Sequence, residues 1–200
     1  MKKPILILTL LLALSGCGQT DSPAAPETAA PSTVPETAAP AGDRNPTAEE
    51  LGRADKKDLT IMVEGTEEAV PATLYIGQGY SIYIPDEGWR LEKDMEDGVP
   101  EEKWESAVNG DVELRVLHLG EKTLEQAQEW VTAEEDNYRL IEDKQGGLGG
   151  TDAEDREVLE VRLHPAGTQM YAVAYQYPVE ASEGFGARLS QIADTFEAME

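Results

Sequence analysis

The sequence predicts an α+β domain in which a mainly antiparallel sheet packs against helices as an α/β/α sandwich. Three observations lead there. Alternating apolar and polar stretches come first along the chain, then a helical period, two more strand-like stretches and a final helical stripe. From Gln169 to Tyr177 both faces are apolar, with Tyr171, Val173, Tyr175 and Tyr177 on one and Met170, Ala172 and Ala174 on the other, so this strand is expected to be covered on both sides. All twelve aromatic residues lie between Tyr75 and Phe196, which places one folded unit at 51–200, long enough for a single core.

Each element has its own signal. Leu59, Ile61 and Val63 alternate with polar residues as on a half-buried strand, and a second strand runs through 72–76. Gly79-Tyr80-Ser81-Ile82-Tyr83-Ile84-Pro85 alternates again, and Pro85 ends the ladder because it has no N–H to donate. Asp86-Glu87-Gly88 supplies a turn, after which Trp89 folds back onto the core edge. Stretches 103–108 and 111–119 flank Asn109-Gly110, a pair suited to a two-residue type I′ hairpin because both positions need φ > 0. Thr123-Leu124-Glu125-Gln126 has the spacing of a capping box, and Leu124, Ala127, Val131 and Tyr138 recur near helical period, which predicts a helix over 123–136. A brief strand is expected at 139–143, a loop at 146–152 and a strand at 156–164 presenting Leu159, Val161 and Leu163 on one face. Phe185, Leu189, Ile192, Phe196 and Met199 form the stripe of a helix over 183–199, with Ser182 as its cap.

The order of these elements, with Gly79-Tyr80-Ser81-Ile82-Tyr83-Ile84-Pro85 leading to Gly88-Trp89 and a terminal Ile192-Ala193-Asp194-Thr195-Phe196, resembles the PsbP/Mog1-like α/β/α domains found in many small bacterial lipoproteins. The resemblance covers most of 70–200 and rests on patterns of aromatic and apolar residues. It implies a fold and binding or accessory roles, including the stabilising of larger assemblies, and it brings no catalytic motif with it.

The amino terminus reads as an export signal. Lys2 and Lys3 precede an apolar run from Ile5 to Leu14, broken only by Thr9. That run is about half the roughly 20 residues a helix needs to cross a bilayer. Leu14-Ser15-Gly16-Cys17 resembles the lipobox of bacterial lipoproteins, with small residues immediately before the cysteine. The resemblance implies diacylglyceryl transfer to the Cys17 sulfur, removal of the signal peptide 1–16 by cleavage between Gly16 and Cys17, and anchoring at the extracytoplasmic face of the cell membrane. Two or more acyl chains hold stably where one holds only marginally. In a host with two membranes, Gly18 stands where an Asp retention signal would, so the resemblance implies outer-membrane sorting there.

Residues 17–50 carry the anchor and a linker. Prolines stand at 23, 26, 31, 35, 40 and 46, and Pro26-Glu27-Thr28-Ala29-Ala30-Pro31 returns as Pro35-Glu36-Thr37-Ala38-Ala39-Pro40. With no large apolar side chain to offset the entropy of ordering, the segment is expected to be disordered with a polyproline II bias and to serve as a spacer.

Charge narrows the partners. The chain holds 40 Asp and Glu against 16 Lys and Arg, a formal net charge of -24, and 51–200 alone holds 34 acids against 13 bases. Phosphate backbones and anionic headgroups need clustered Lys and Arg, so nucleic acid is excluded and membrane contact falls to the lipid anchor. The single cysteine allows neither an internal disulfide nor a Cys-pair metal site.

Candidate chemistry is sparse. His118 and His164 sit near the ends of predicted strands without identifiable partners and read as solvent-facing. Gly146-Gly147-Leu148-Gly149-Gly150-Thr151-Asp152 occurs once, carries no Lys and reads as a turn instead of a phosphate cradle. Asp94, Asp97, Gly98, Glu101 and Glu102 lack the alternating ligands of a calcium loop, and together with Glu134-Glu135-Asp136 and 152–155 they read as a solvated acidic face. The tyrosines of 171–177 read as core under a helix. The expectation is therefore a noncatalytic accessory or protein- or envelope-binding lipoprotein with no cofactor, no metal and no catalytic residue. The alternative is an extracytoplasmic binder of a small ligand or divalent cation.

Overall fold

The computed structural model describes residues 44–63 and 65–199. In chain order the strands are β1 (Lys56–Val63), β2 (Thr66–Gly77), β3 (Tyr80–Pro85), β4 (Trp89–Glu96), β5 (Val99–Ser106), β6 (Glu113–Gly120), β7 (Tyr138–Glu142), β8 (Leu148–Asp152), β9 (Glu157–Ala166), β10 (Gln169–Pro178) and β11 (Glu197–Ala198). Among the described residues two α-helices, α1 (Leu124–Glu134) and α2 (Ala187–Ala193), interrupt them. The strands form a four-stranded sheet, β1-β2-β3-β11, and a seven-stranded sheet, β4-β5-β6-β10-β9-β8-β7, with every pairing antiparallel.

The expected antiparallel sheet with helices packed against it is present, but the helices are short and a second sheet takes much of one outer layer, so the fold is mainly β and the α/β/α sandwich holds only in part. Helix α1 covers one face of the large sheet, burying Ala127 and Val131 against Leu117, Leu159, Val161, Ala172 and Ala174. The opposite face packs on α2 and the small sheet, where Leu59, Ile61, Tyr80 and Ile82 meet Trp104, Leu114, Val173 and Tyr175. Strand β10 stands between the two cores, giving Tyr171, Val173, Tyr175 and Tyr177 to one and Met170, Ala172 and Ala174 to the other. Its doubly apolar sequence is what covered faces require. The helices are shorter than the sequence pattern indicates because the second outer layer is a sheet.

The α1 amino terminus follows its sequence signal: the Thr123 hydroxyl accepts from the Gln126 N–H, and the Gln126 side chain accepts from the Thr123 N–H. The hairpins do not. The strands around Asn109-Gly110 stop at Ser106 and resume at Glu113, and neither residue has positive φ. Asn109 instead opens an Asx turn, its Oδ1 accepting from the Asp111 N–H at 3.0 Å. The two-residue turn of type I′ character lies between β4 and β5, at Asp97 and Gly98, whose φ values are 43° and 83°.

The expected loop at 146–152 contains strand β8. A Cβ on Gly150 would stand 2.2 Å from the Arg139 backbone oxygen, so here the glycine marks close strand approach. The expected terminal helix 183–199 is also shorter, since a 3-10 turn (Val179–Ala181) and a π turn (Ser182–Gly186) precede α2, which ends at Ala193. Ser182 does not cap it; its hydroxyl donates to the Val179 oxygen. The Thr195 hydroxyl donates to the Ile192 oxygen and accepts from the Tyr83 N–H, turning the chain so that Phe196 is buried and β11 pairs with β3. Pairing of the otherwise open edge of β3, a strand buried throughout, outweighs two more helical turns.

Residues 44–50, which the sequence assigns to the linker, lie on the domain. The Asn45 amide donates to the Ile76 oxygen and Ala48 is buried, while Arg53, just beyond, bonds Ser81 and the Thr195 oxygen. The signal segment, Gly16, Cys17 and the rest of the linker are outside the described residues.

Candidate functional site

Strands β7, β8 and β9 form one end of the large sheet, and the glycines of β8 leave a trough along it. A cleft of about 540 Å³ opens there over Gly149 and Gly150, with Ile141 on one wall and Val158, Glu160 and Arg162 on the other. Ile141 is 75% exposed, and β7 is an outer strand of the sheet among the described residues. An outer strand presents unpaired N–H and C=O groups, so the cleft combines apolar surface with a backbone edge.

Two charged groups of the cleft wall, Glu160 and Arg162, are already committed. Glu160 accepts hydrogen bonds from the Tyr175 hydroxyl at 2.6 Å and the Tyr177 hydroxyl at 3.2 Å. Burial, then the Glu160 carboxylate, pushes the Tyr175 phenol up to about 12 and raises that of Tyr177 as well. Arg162 donates to Asp194 at 2.5 Å and to the Ser190 hydroxyl at 2.7 Å. These pairs brace the wall beneath α2. They set no nucleophile beside a base.

A smaller cavity of about 140 Å³ lies between the sheets, lined by the Tyr80, Lys93, Glu102 and His118 side chains among others. Glu102 accepts from the Tyr75 hydroxyl at 2.6 Å, from Lys93 at 2.7 Å and from the Tyr80 hydroxyl. Burial opposes ionisation of Glu102, but these donors outweigh it and hold the carboxyl below its ordinary value.

The histidines are not solvent-facing. His118 stacks on Tyr171 with centroids 4.7 Å apart, and its Nε2 lies 2.9 Å from the Gln169 oxygen. His164 packs on Phe196 at 4.6 Å, its Nε2 buried without a hydrogen-bond partner. Burial and then nearby Arg162 lower its pKa. Both rings face the aromatic core because alternation on β6 and β9 puts them on the same side as Tyr171, opposite which each stands in register. The tyrosines of β10 are core, as the sequence indicates.

The acidic clusters divide by strand register. Asp94 stands opposite Glu101 on the α1 face, while Glu102 points between the sheets, so the loop-like set 94–102 does not converge. Glu101 joins Glu96, Glu113 and Glu135 around buried Arg115, at 3.9, 3.6, 3.2 and 2.5 Å from the guanidinium. This cluster spans β4, β5, β6 and the end of α1, and sequence spacing carries no trace of it. Asp152 accepts from the Arg156 and Glu157 N–H groups, and Asp155 pairs with Arg139. Among the described residues no three His, Cys, Asp or Glu side chains converge as a metal-ligand set, and no helix is long and apolar enough to cross a membrane.

Comparison with known proteins places the chain at its amino terminus. No curated protein matches it. Among solved structures, it is similar to the cyanobacterial PsbP (CyanoP) of Synechocystis sp. PCC 6803 at 14% identity and a TM-score of 0.46, over 64% of this chain and 92% of that one. It is also similar to a protein of Bacteroides thetaiotaomicron VPI-5482 at 13% identity and a TM-score of 0.40, over 64% of this chain and 48% of that one. Likeness at this level assigns no activity. Residues 1–17 match the family model of the prokaryotic membrane lipoprotein lipid attachment site, and the chain is accordingly a membrane-anchored, extracytoplasmic lipoprotein.

Proposed function

We propose that the mature protein is a noncatalytic accessory module, joined to the membrane by a diacylglyceryl thioether on Cys17 after cleavage between Gly16 and Cys17, and that its folded domain binds a protein or envelope partner. In a two-membrane host, Gly18 favours the outer membrane. The observation that carries the binding role is the glycine-floored cleft beside the outer strand β7, where exposed Ile141 adjoins an open backbone edge. Apolar surface next to an open edge suits an extended polypeptide, whose main chain adds to the ladder while alternate side chains enter the trough. The committed ion pairs of Glu160 and Arg162 favour a rigid docking surface over acid–base work.

Site-specific photo-crosslinking in membranes tests this on the full-length lipoprotein. A photoreactive residue at Ile141 is expected to give an adduct of discrete mass that is absent when the same residue replaces Val108, which is also exposed but remote from the cleft. Equal labelling at both positions, or none at Ile141, overturns the assignment of the cleft.

The cavity at Glu102 favours a second reading, binding of a small polar ligand between the sheets. A saturable thermal shift with a panel of small amines and amino acids, lost in Glu102→Gln, is its signature.

A further inference from the structure

We propose that Asn109 is a site of spontaneous covalent modification, converted through a succinimide to isoaspartate, and that the turn between β5 and β6 holds it ready for this reaction. The Asn109 backbone oxygen accepts from the Val112 N–H at 3.1 Å, and its Oδ1 accepts from the Asp111 N–H at 3.0 Å. A side chain bonded to the N–H two residues on lies alongside the intervening peptide, so the Asn109 amide carbon faces the Gly110 nitrogen. The Asp111 N–H also polarises that amide carbonyl and stabilises the oxyanion that forms as nitrogen adds. Gly110 is exposed, its N–H has no partner among the described residues, and the position of a Cβ would meet only Glu105 Oε1 at 3.6 Å. Nothing crowds the approach, and the flanking Val108 is 81% exposed.

The chemistry needs only water and a solvent base. The Gly110 nitrogen gives up its proton to the base and attacks Asn109 Cγ; a C–N bond forms to the backbone. The bond from Cγ to the side-chain nitrogen then breaks, and that nitrogen leaves as ammonia after taking a proton. Water opens the cyclic imide at either carbonyl. Opening at the carbonyl next to Cα routes the chain through Cβ as isoaspartate, and opening at the other leaves aspartate. The net change is one water in and one ammonia out, with no oxidation or reduction.

The chain contains two internal references. Asn45 precedes Pro46, which has no N–H to lose, and Asn137 precedes Tyr138, whose side chain crowds the attacking nitrogen. Isoaspartate at 109 adds a backbone methylene between Ser106 and Val112, which close the hairpin through a hydrogen bond of 2.9 Å, and adds a carboxylate beside Glu105, Asp111 and Glu113.

The test is ageing of the full-length protein at neutral to mildly alkaline pH, followed by tryptic mapping. Cleavage after Lys103 and Arg115 releases residues 104–115, which contain one Asn and no Gln, so any NH-for-O mass gain there belongs to Asn109. The expected result is conversion of this peptide well ahead of the one containing Asn137, with isoaspartate in the product as read by isoaspartyl methyl transfer. Gly110 has no positive φ, so Gly110→Ala keeps the turn and slows conversion several-fold by shielding the nitrogen. The proposal is overturned if the wild-type peptide converts no faster than the Asn137 peptide, or if Gly110→Ala leaves the rate unchanged. It is equally overturned if the native protein converts far more slowly than the same peptide unfolded.

Discussion

Replacing Arg115 with Met removes a guanidinium that is only 6% exposed and leaves Glu96, Glu101, Glu113 and Glu135 facing one another. At an effective dielectric of about 20, a unit pair separated by ~4 Å interacts by about 4 kcal/mol, and desolvation of the ions cancels part of that. Four acids share this cation, and all but Glu96 have side chains less than 20% exposed, so breaking the cluster is expected to cost about 3–5 kcal/mol at neutral pH. That is a large share of the ~5–15 kcal/mol that holds a typical domain folded. The loss should shrink on acidification. Burial, only partly offset by Arg115, already raises the pKa of Glu96 and Glu101 above the ordinary carboxylate value. A raised folded-state pKa contributes stability that is fully present below the unfolded value of ~4.3 and lost as pH rises through the folded value. Without Arg115 both values rise further, so the variant regains stability as pH falls from 7 toward 5. Urea unfolding followed by tryptophan fluorescence, with buried Trp104 as reporter, at pH 7 and pH 5 measures both effects. Equal stability of variant and wild type at pH 7, or a gap that does not narrow at pH 5, refutes the cluster as a buried, cation-dependent unit. His164 titrates in both proteins and cancels in the difference.

His164 gives a separate pH signature. Its pKa is lowered, so its contribution is present above the unfolded value of ~6.5 and lost as pH falls through the folded value; His164→Phe should flatten that part of the stability curve in urea titrations across the range. Gly150→Val drives a side chain into the Arg139 backbone and should cost about 1–3 kcal/mol with early loss of amide protection in β7, measured by hydrogen exchange. Cys17→Ser should abolish palmitate incorporation and release the protein from membranes; labelling that persists in the variant would place the anchor elsewhere.

Much of the fold was legible where burial is one-dimensional. Alternation marked β1, β3 and β9, the doubly apolar run marked β10, and Thr123 with Gln126 marked the start of α1. Sequence pattern and structure diverge where a local signal has two physical outcomes. Asn-Gly favours φ > 0, but Asn109 satisfies a neighbouring N–H with its side chain, while the equally suitable Asp97-Gly98 is masked in the sequence by the acidic residues around it. Gly149-Gly150 looks like a turn until the backbone of β7 is placed against it. The stripe of 185–199 suits a helix, yet Phe196 reaches the same core after a turn because β3 needs a partner. Of the cleft almost nothing was readable, since Ile141, Gly149 and Glu160 come from three strands joined only by pairing. The lipid attachment signal was fully legible because it is read as a linear sequence.

The position of β10 bears on how the domain comes apart. Seven of its ten side chains belong to one core or the other, so peeling off α1 and lifting away α2 both uncover the same strand. Neither core is complete without β10, so the two layers should melt in a single concerted event. The β10 amides would then exchange only through global opening, which makes them the internal gauge of the free energy that keeps this domain intact.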